Sequence, residues 1–186
     1  MKVELEKAFP LPGPVDGAWA LLQDVEAVAG CMPGAKITER VDESHYRGTV
    51  GVKLGPASLS FRGEIEVKGV DAPARTLRLS ARGTDTTGGS AASMDLTARI
   101  EPSGAGACTL VGESEVSMSG KAAAFGSRLM GPVSDQVLSQ FAANFAARLQ
   151  AGRTRDAPAP EARPLHAFAL AWGALKAWVR SLFAGT

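Results

Sequence analysis

Histidine, tyrosine and cysteine are nearly missing from this chain, and most of the usual means of catalysis go with them. Across 186 residues there are two histidines, His45 and His166, two cysteines, Cys31 and Cys108, and one tyrosine, Tyr46. The cysteines stand in neither a metal-type nor a redox-type spacing, so two reduced thiols in or near the core are expected. The histidines fall in different segments, so no standard metal site can be assembled from them. Charge of one sign is lacking too. The formal net charge is +1, and no basic run is interleaved with aromatics, which argues against a nucleic-acid binder. Lys2, Glu4, Glu6 and Lys7 crowd the start with charge, which argues against a secretory signal and for the cytoplasm.

What the chain does have is a long apolar stripe. Phe125, Leu129, Val133, Val137, Phe141, Phe145 and Leu149 recur at steps of four, which stacks them on one face of a helix over 120–149. Each step overshoots a full turn by about 40°, so the stripe spirals unless it is reset. Gly131-Pro132 supplies an expected reset, because proline removes a backbone donor and crowds the preceding turn. One bent helix, or two nearly continuous pieces, is expected across a curved surface.

The surface is upstream. Val3, Leu5 and Lys7 alternate with Lys2, Glu4 and Glu6 in a first strand expected to end at Phe9-Pro10. Leu11-Pro12-Gly13-Pro14 turns into a helix that carries Val15, Trp19 and Leu22 on one face, with Pro14 suited to its start. Asp24 opens a second short helix over 25–29, closed by Gly30-Cys31-Met32-Pro33-Gly34. From residue 35 to residue 118 the period becomes two. Tyr46, Val50 and Val52, then Phe61 and Ile65, then Leu77 and Leu79, then Met94 and Leu96, then Leu110, Ser114 and Val116 fall on one face of about six antiparallel strands. The acidic residues of the strands fall on the other face by the same alternation. The fold class is α+β, a curved antiparallel sheet with a long helix after it.

Gly48, Gly63, Ala81, Ala98 and Gly112 lighten the apolar face. Small residues on the hollow side of a sheet either let it coil or leave space for a ligand beneath the helix. Residues 150–164 have linker composition, with Gly152, Pro158, Pro160 and several charges. Residues 165–186 then form an amphipathic stretch. Phe168, Trp172, Leu175, Leu182 and Phe183 share one side with Trp178 at its edge, and Lys176 and Arg180 lie opposite. That pattern suits a helix in a membrane interface, although a partner protein or the domain itself could receive the same face. Lys176 and Arg180 argue against a spanning helix.

Pro12-Gly13-Pro14, Trp19, Asp24, Cys31-Met32-Pro33-Gly34-Ala35, Tyr46, Leu54-Gly55-Pro56, Phe61, Gly63 and the stretch Gly120-Lys121-Ala122, Phe125-Gly126, Arg128-Leu129 occur in a familiar order. By these residues the chain, over about 1–149, resembles the carbon monoxide dehydrogenase CoxG family of the START-like superfamily. Gly131-Pro132 departs from that pattern. The resemblance implies a helix-grip fold, a curved sheet wrapped around a long C-terminal helix with a cavity between them. It further implies a partner, a molybdenum hydroxylase of the carbon monoxide dehydrogenase type, a bound quinone in place of any covalently held cofactor, and a site on the inner face of the cell membrane.

Catalysis is not expected: with His45 facing outward, Tyr46, Ser114 and Cys108 have no histidine or carboxylate to activate them. The reading is a non-catalytic binding protein with a ligand domain at 1–149, a linker at 150–164 and a membrane-interface helix at 165–186. Its expected ligand contacts are Trp19, Leu22, Tyr46, Val50, Val52, Phe61, Ile65, Met94, Leu96, Leu129 and Val133. The alternative is a recruitment adaptor for the same oxidoreductase with a solid interior.

Overall fold

The computed structural model describes residues 1–152 apart from 55, 56 and 125, and the side chains of that span apart from 54–57, 125–130, 132 and 133. Strand β1, Lys2–Pro12, is followed by helices α1, Val15–Gln23, and α2, Val25–Cys31. Six strands come next: β2 Ala35–Arg40, β3 His45–Leu54, β4 Ala57–Asp71, β5 Thr76–Asp85, β6 Ser90–Pro102 and β7 Ala107–Gly120. A short α3, Lys121–Ala124, leads to α4, Gly126–Ala151. All seven strands form one antiparallel sheet in the order β1-β7-β6-β5-β4-β3-β2.

Local chemistry explains the joints. Pro14 is the N-cap residue of α1, where its fixed φ is already suitable. Asp24 caps α2, its Oδ1 accepting from the Ala27 N–H at 2.9 Å. Gly120 ends β7 at φ +70°, and a Cβ there would strike the Gly89 carbonyl oxygen, so only glycine makes this corner. The next turn is locked by the Ala122 N–H donating to the buried Ser90 Oγ at 2.9 Å.

The ladders carry one set of side chains to the inner face. Tyr46, Ile65, Ala81, Met94, Val116 and Val3 are successive cross-strand partners, and the next row runs Val67, Leu79, Leu96, Ser114, Leu5. The row on the other side is Gly48, Gly63, Gly83, Ala92, Met118. Its glycines answer to curvature: a Cβ on Gly63 would collide with the Arg82 carbonyl, and one on Gly48 would lie 2.7 Å from the Lys36 carbonyl oxygen. Strands bend against each other here more closely than any side chain allows.

The core closes one end of this face. Leu11, Trp19, Leu22, Cys31, Leu77, Ala98, Ile100, Cys108 and Leu110 pack with Phe141, Phe145 and Leu149 of α4. Phe145 is wholly buried, its ring 5.9 Å from that of Phe141. Leu149 lies against Gly13 and Gly17, and the Asn144 Nδ2 donates to the Cys31 carbonyl at 2.8 Å, tying α4 to the end of α2.

Three expectations change. β1 continues past Phe9-Pro10 to Pro12, because Pro10 and Pro12 keep their register with Thr109 and Ala107 along an edge strand, where a missing donor is tolerated. α2 continues beyond residue 29 to Cys31. At Gly131-Pro132 the single-helix alternative holds, α4 running through both residues, since proline deletes one hydrogen bond while the turns on both sides persist. Finally, not every strand carboxylate is on the wet face. Asp85 pairs with Phe61 across the ladder and is only 5 % exposed.

Candidate functional site

Side-chain burial divides the inner face into two halves. At the closed end Leu11, Leu77, Ala98, Ile100, Cys108 and Leu110 are sealed. Toward the β5–β6 turn and the start of α4, Val50, Phe61, Ile65, Met94 and Leu96 remain half-buried, although they belong to the same apolar face. Apolar side chains of the inner face that keep contact with solvent leave this half less filled than the sealed end.

The expected ligand contacts therefore separate. Trp19 and Leu22 are in the closed core. Val50, Phe61, Ile65, Met94 and Leu96 share the half-buried region, and Val52 lies beyond Val50 toward the end of β3. Tyr46 is 6 % exposed, and its hydroxyl donates to the Glu43 carbonyl at 3.3 Å, so its polar end is already engaged with backbone. The side chains of Leu129 and Val133 lie outside the described residues, as do Phe168, Trp172, Leu175, Lys176, Trp178, Arg180, Leu182 and Phe183.

The polar groups of the inner face number few. Asp85 sits at the rim, accepting from the Ser60 N–H at 3.4 Å and from the Thr87 hydroxyl. The Thr87 bond holds its carboxyl below the usual carboxylate range, burial opposes this, and the Ser60 N–H adds to it. Alternation along β5 already puts Asp85 in step with Leu77, Leu79 and Ala81, and the expectation that every strand carboxylate faces water overlooked it. Lys7 is the inner-face cation, 2.8 Å from Asp135 of α4. Ser114 is half-buried in the middle of the face.

The histidine and the thiols are placed for structure rather than for proton or group transfer. His45 is exposed, and its Nδ1 lies 2.8 Å from Asp42 Oδ2 and 3.1 Å from Ser44 Oγ. Both partners address the same ring nitrogen, whereas a proton relay needs them on opposite nitrogens. The group is a turn lock, with the Ser44 N–H holding the Asp42 carboxyl well below its ordinary value. Burial pushes the thiols of Cys31 and Cys108 up, away from nucleophilic thiolate. Among the described residues no three metal-ligating side chains converge.

The outer face is charged and open. A groove of about 700 Å³ crosses β1, β7, β6 and β5, lined by charged Glu4, Glu6, Asp95, Lys68 and Arg78 and also by Leu5, Leu79, Leu96 and Ser114. Arg47 bridges Glu39 and Glu64 at 3.0 Å each. No helix among the described residues is long and apolar enough to cross a membrane.

A curved seven-stranded antiparallel sheet closed by a long C-terminal helix, with an apolar face between them, defines a START-like helix-grip protein. The chain belongs to the carbon monoxide dehydrogenase CoxG family, whose pattern matches residues 9–150. A conserved protein from Geobacillus kaustophilus is similar in structure, with a TM-score of 0.71 at 21% identity over 80% of this chain and 95% of that one. The ZhuI aromatase/cyclase from Streptomyces sp. R1128 superposes at 0.56 with 15% identity, over 82% of this chain and 98% of that one. A START superfamily protein from Mycobacterium smegmatis superposes at 0.55 with 14% identity, over 79% and 97% respectively. At these identities the likeness is one of fold. No curated protein matches the chain in sequence.

Proposed function

We propose that this protein is a non-catalytic carrier of a hydrophobic ligand, a quinone, serving a molybdenum hydroxylase of the carbon monoxide dehydrogenase type at the cytoplasmic face of the cell membrane. The observation that carries the reading is the half-buried apolar region around Val50, Phe61, Ile65, Met94 and Leu96, continuous with a sealed core at one end. An apolar surface of this kind is favourable for a ring and a hydrocarbon chain, at about 25 cal/mol for each Å² withdrawn from water. Membership of the CoxG family supports the partner. The tail composition supports the membrane, through its aromatic side and its Lys176 and Arg180. Non-catalysis is supported by the local engagement of Tyr46, Asp85 and His45, each spent on a neighbouring turn.

The test is gentle purification of the full-length protein, followed by solvent extraction and mass spectrometry. A stoichiometric quinone is the expected result. An empty extract from protein that still binds membranes would replace the carrier with the adaptor, a protein that recruits the oxidoreductase through its surface.

A further inference from the structure

A carrier needs to hold its cargo by more than apolar contact, and one corner of the inner face is equipped to do so. Lys7 and Ser114 are diagonal neighbours there: Ser114 is opposite Leu5, and Lys7 is opposite Gly112. Diagonal pairs on one face of a sheet lie within reach of a common small group. Ser114 has leucines as its cross-strand partners on both sides, Leu5 and Leu96. Its hydroxyl has no hydrogen-bond partner among the described residues, and no side-chain oxygen there is sealed without one. Among the described residues the Ser114 hydroxyl is thus a free polar group set within an apolar row.

Gly112 adjoins both. A Cβ built on it would meet, among the described residues, nothing nearer than Leu96 Cδ1 at 3.8 Å, an ordinary contact. Gly63 and Gly48 are glycine because backbone presses against them, and Gly112 is not pressed. Its missing side chain lets a small group approach the sheet beside Lys7 and Leu96.

Lys7 sets the chemistry of what can sit there. Its ammonium has three hydrogens, and Asp135 across the seam between β1 and α4 takes up one direction, at 2.8 Å. The pair is already balanced in charge, so an anionic head would bring a surplus negative charge close to Asp135. A neutral acceptor oxygen meets no such cost, and it can take one N–H of Lys7 and the O–H of Ser114 together. Lys7 and Asp135 side chains are 40% and 63% exposed, so the corner lies at the edge of the inner face.

The geometry points to this corner, Lys7 and Ser114 over Gly112, as the seat of the ligand's polar head, and to that head being a neutral carbonyl-type acceptor. The apolar body of the ligand then runs inward over Leu96 and Met94. This rests on the carrier reading and adds to it the residues that seat the head of the ligand. It also orients the cargo, with its polar end at the β1–α4 seam.

The test uses two probes with the same apolar body, 2-prenyl-1,4-naphthoquinone and 2-prenylnaphthalene, with decanoate as an anionic probe. Binding to full-length protein is measured by equilibrium dialysis for the wild type, Lys7→Met, Ser114→Ala and Gly112→Leu. The wild type should prefer the quinone over the hydrocarbon by about tenfold, the scale of one hydrogen bond to a charged donor. Lys7→Met and Ser114→Ala should each abolish most of that preference while leaving the hydrocarbon's affinity within about twofold. Gly112→Leu should weaken the quinone, and melting temperatures close to wild type should accompany all three variants. Hydrocarbon bound as tightly as quinone by the wild type, or a preference that survives both Lys7→Met and Ser114→Ala, would remove the head seat while the cavity stands. Decanoate bound more tightly than the quinone would overturn the neutral head. Failure of the wild type to bind either ring probe would overturn the carrier reading and the seat together.

Discussion

Two glycines facing the same way on the sheet have opposite reasons to be glycine. At Gly63 an added Cβ would collide with the Arg82 carbonyl and approach the Gly83 Cα at 2.8 Å, both backbone atoms that cannot swing aside. At Gly112 it would reach a leucine methyl at ordinary contact distance. Gly63→Ala is therefore expected to cost about 1–3 kcal/mol, the range for forced overpacking, and Gly112→Ala to stay within about 0.5 kcal/mol. Urea unfolding of the two variants checks this, and equal losses would contradict the contrast. The sequence showed both as light inner positions and could not separate them, because close approach is a property of the neighbouring strand. Asp85 was legible in principle: it continues the period-two row of Leu77, Leu79 and Ala81 along β5, and its pairing with Phe61 agrees. Asp24 was legible, because an N-cap is a local rule: the side chain, the N–H it accepts from and the helix it starts all lie within three residues.

Elements were legible in proportion to how local their determinants are. The six strands after α2 follow from period-two alternation and Gly-rich turns, and their order follows from short antiparallel connections. The long helix follows from apolar steps of four. Of the two outcomes expected at Gly131-Pro132 the single helix is the one found, and the sequence left them open because a proline signal reports a lost hydrogen bond and not whether flanking turns tolerate the loss. What α4 does is set by its second half. Phe141, Phe145 and Leu149 are buried against α1, β1, β6 and β7, and Asn144 fastens the same stretch to α2. Phe145→Ala should cost about 3–5 kcal/mol in urea unfolding, through lost transfer free energy and the hole left behind. A loss below about 1 kcal/mol would mean that this end is not the anchor of the helix. Among the described residues, the packing that holds α4 lies at the sealed end, away from the half-buried apolar residues.

At the scale of the whole molecule, a folded unit through about residue 152 is followed by a Pro- and charge-rich stretch and an amphipathic segment. Deleting 165–186 is expected to release the protein from anionic liposomes and leave its thermal unfolding unchanged. Co-sedimentation with vesicles, paired with a melting curve, reads both, and a truncated protein that still pellets with vesicles would refute a membrane role for the tail. The START-like architecture was legible from motif order together with the strand and helix pattern. The interior was not, since light positions predict either coiling or a cavity, and only the uneven burial of one apolar face distinguishes the less filled half from the sealed one.

The pairing of β1 with β7 sets a timetable for synthesis. Lys2 finds its partner at Ser117, and Pro12 finds its partner at Ala107. The first strand to leave the ribosome is thus left unpaired until the last strand emerges, and the apolar face has no cover until α4 follows. Contacts so distant in sequence make folding slow, at rates nearer those of all-β domains than of helical bundles. During that interval the nascent chain carries an unsatisfied strand edge and an exposed hydrophobic surface, the features that make an incomplete fold prone to aggregate.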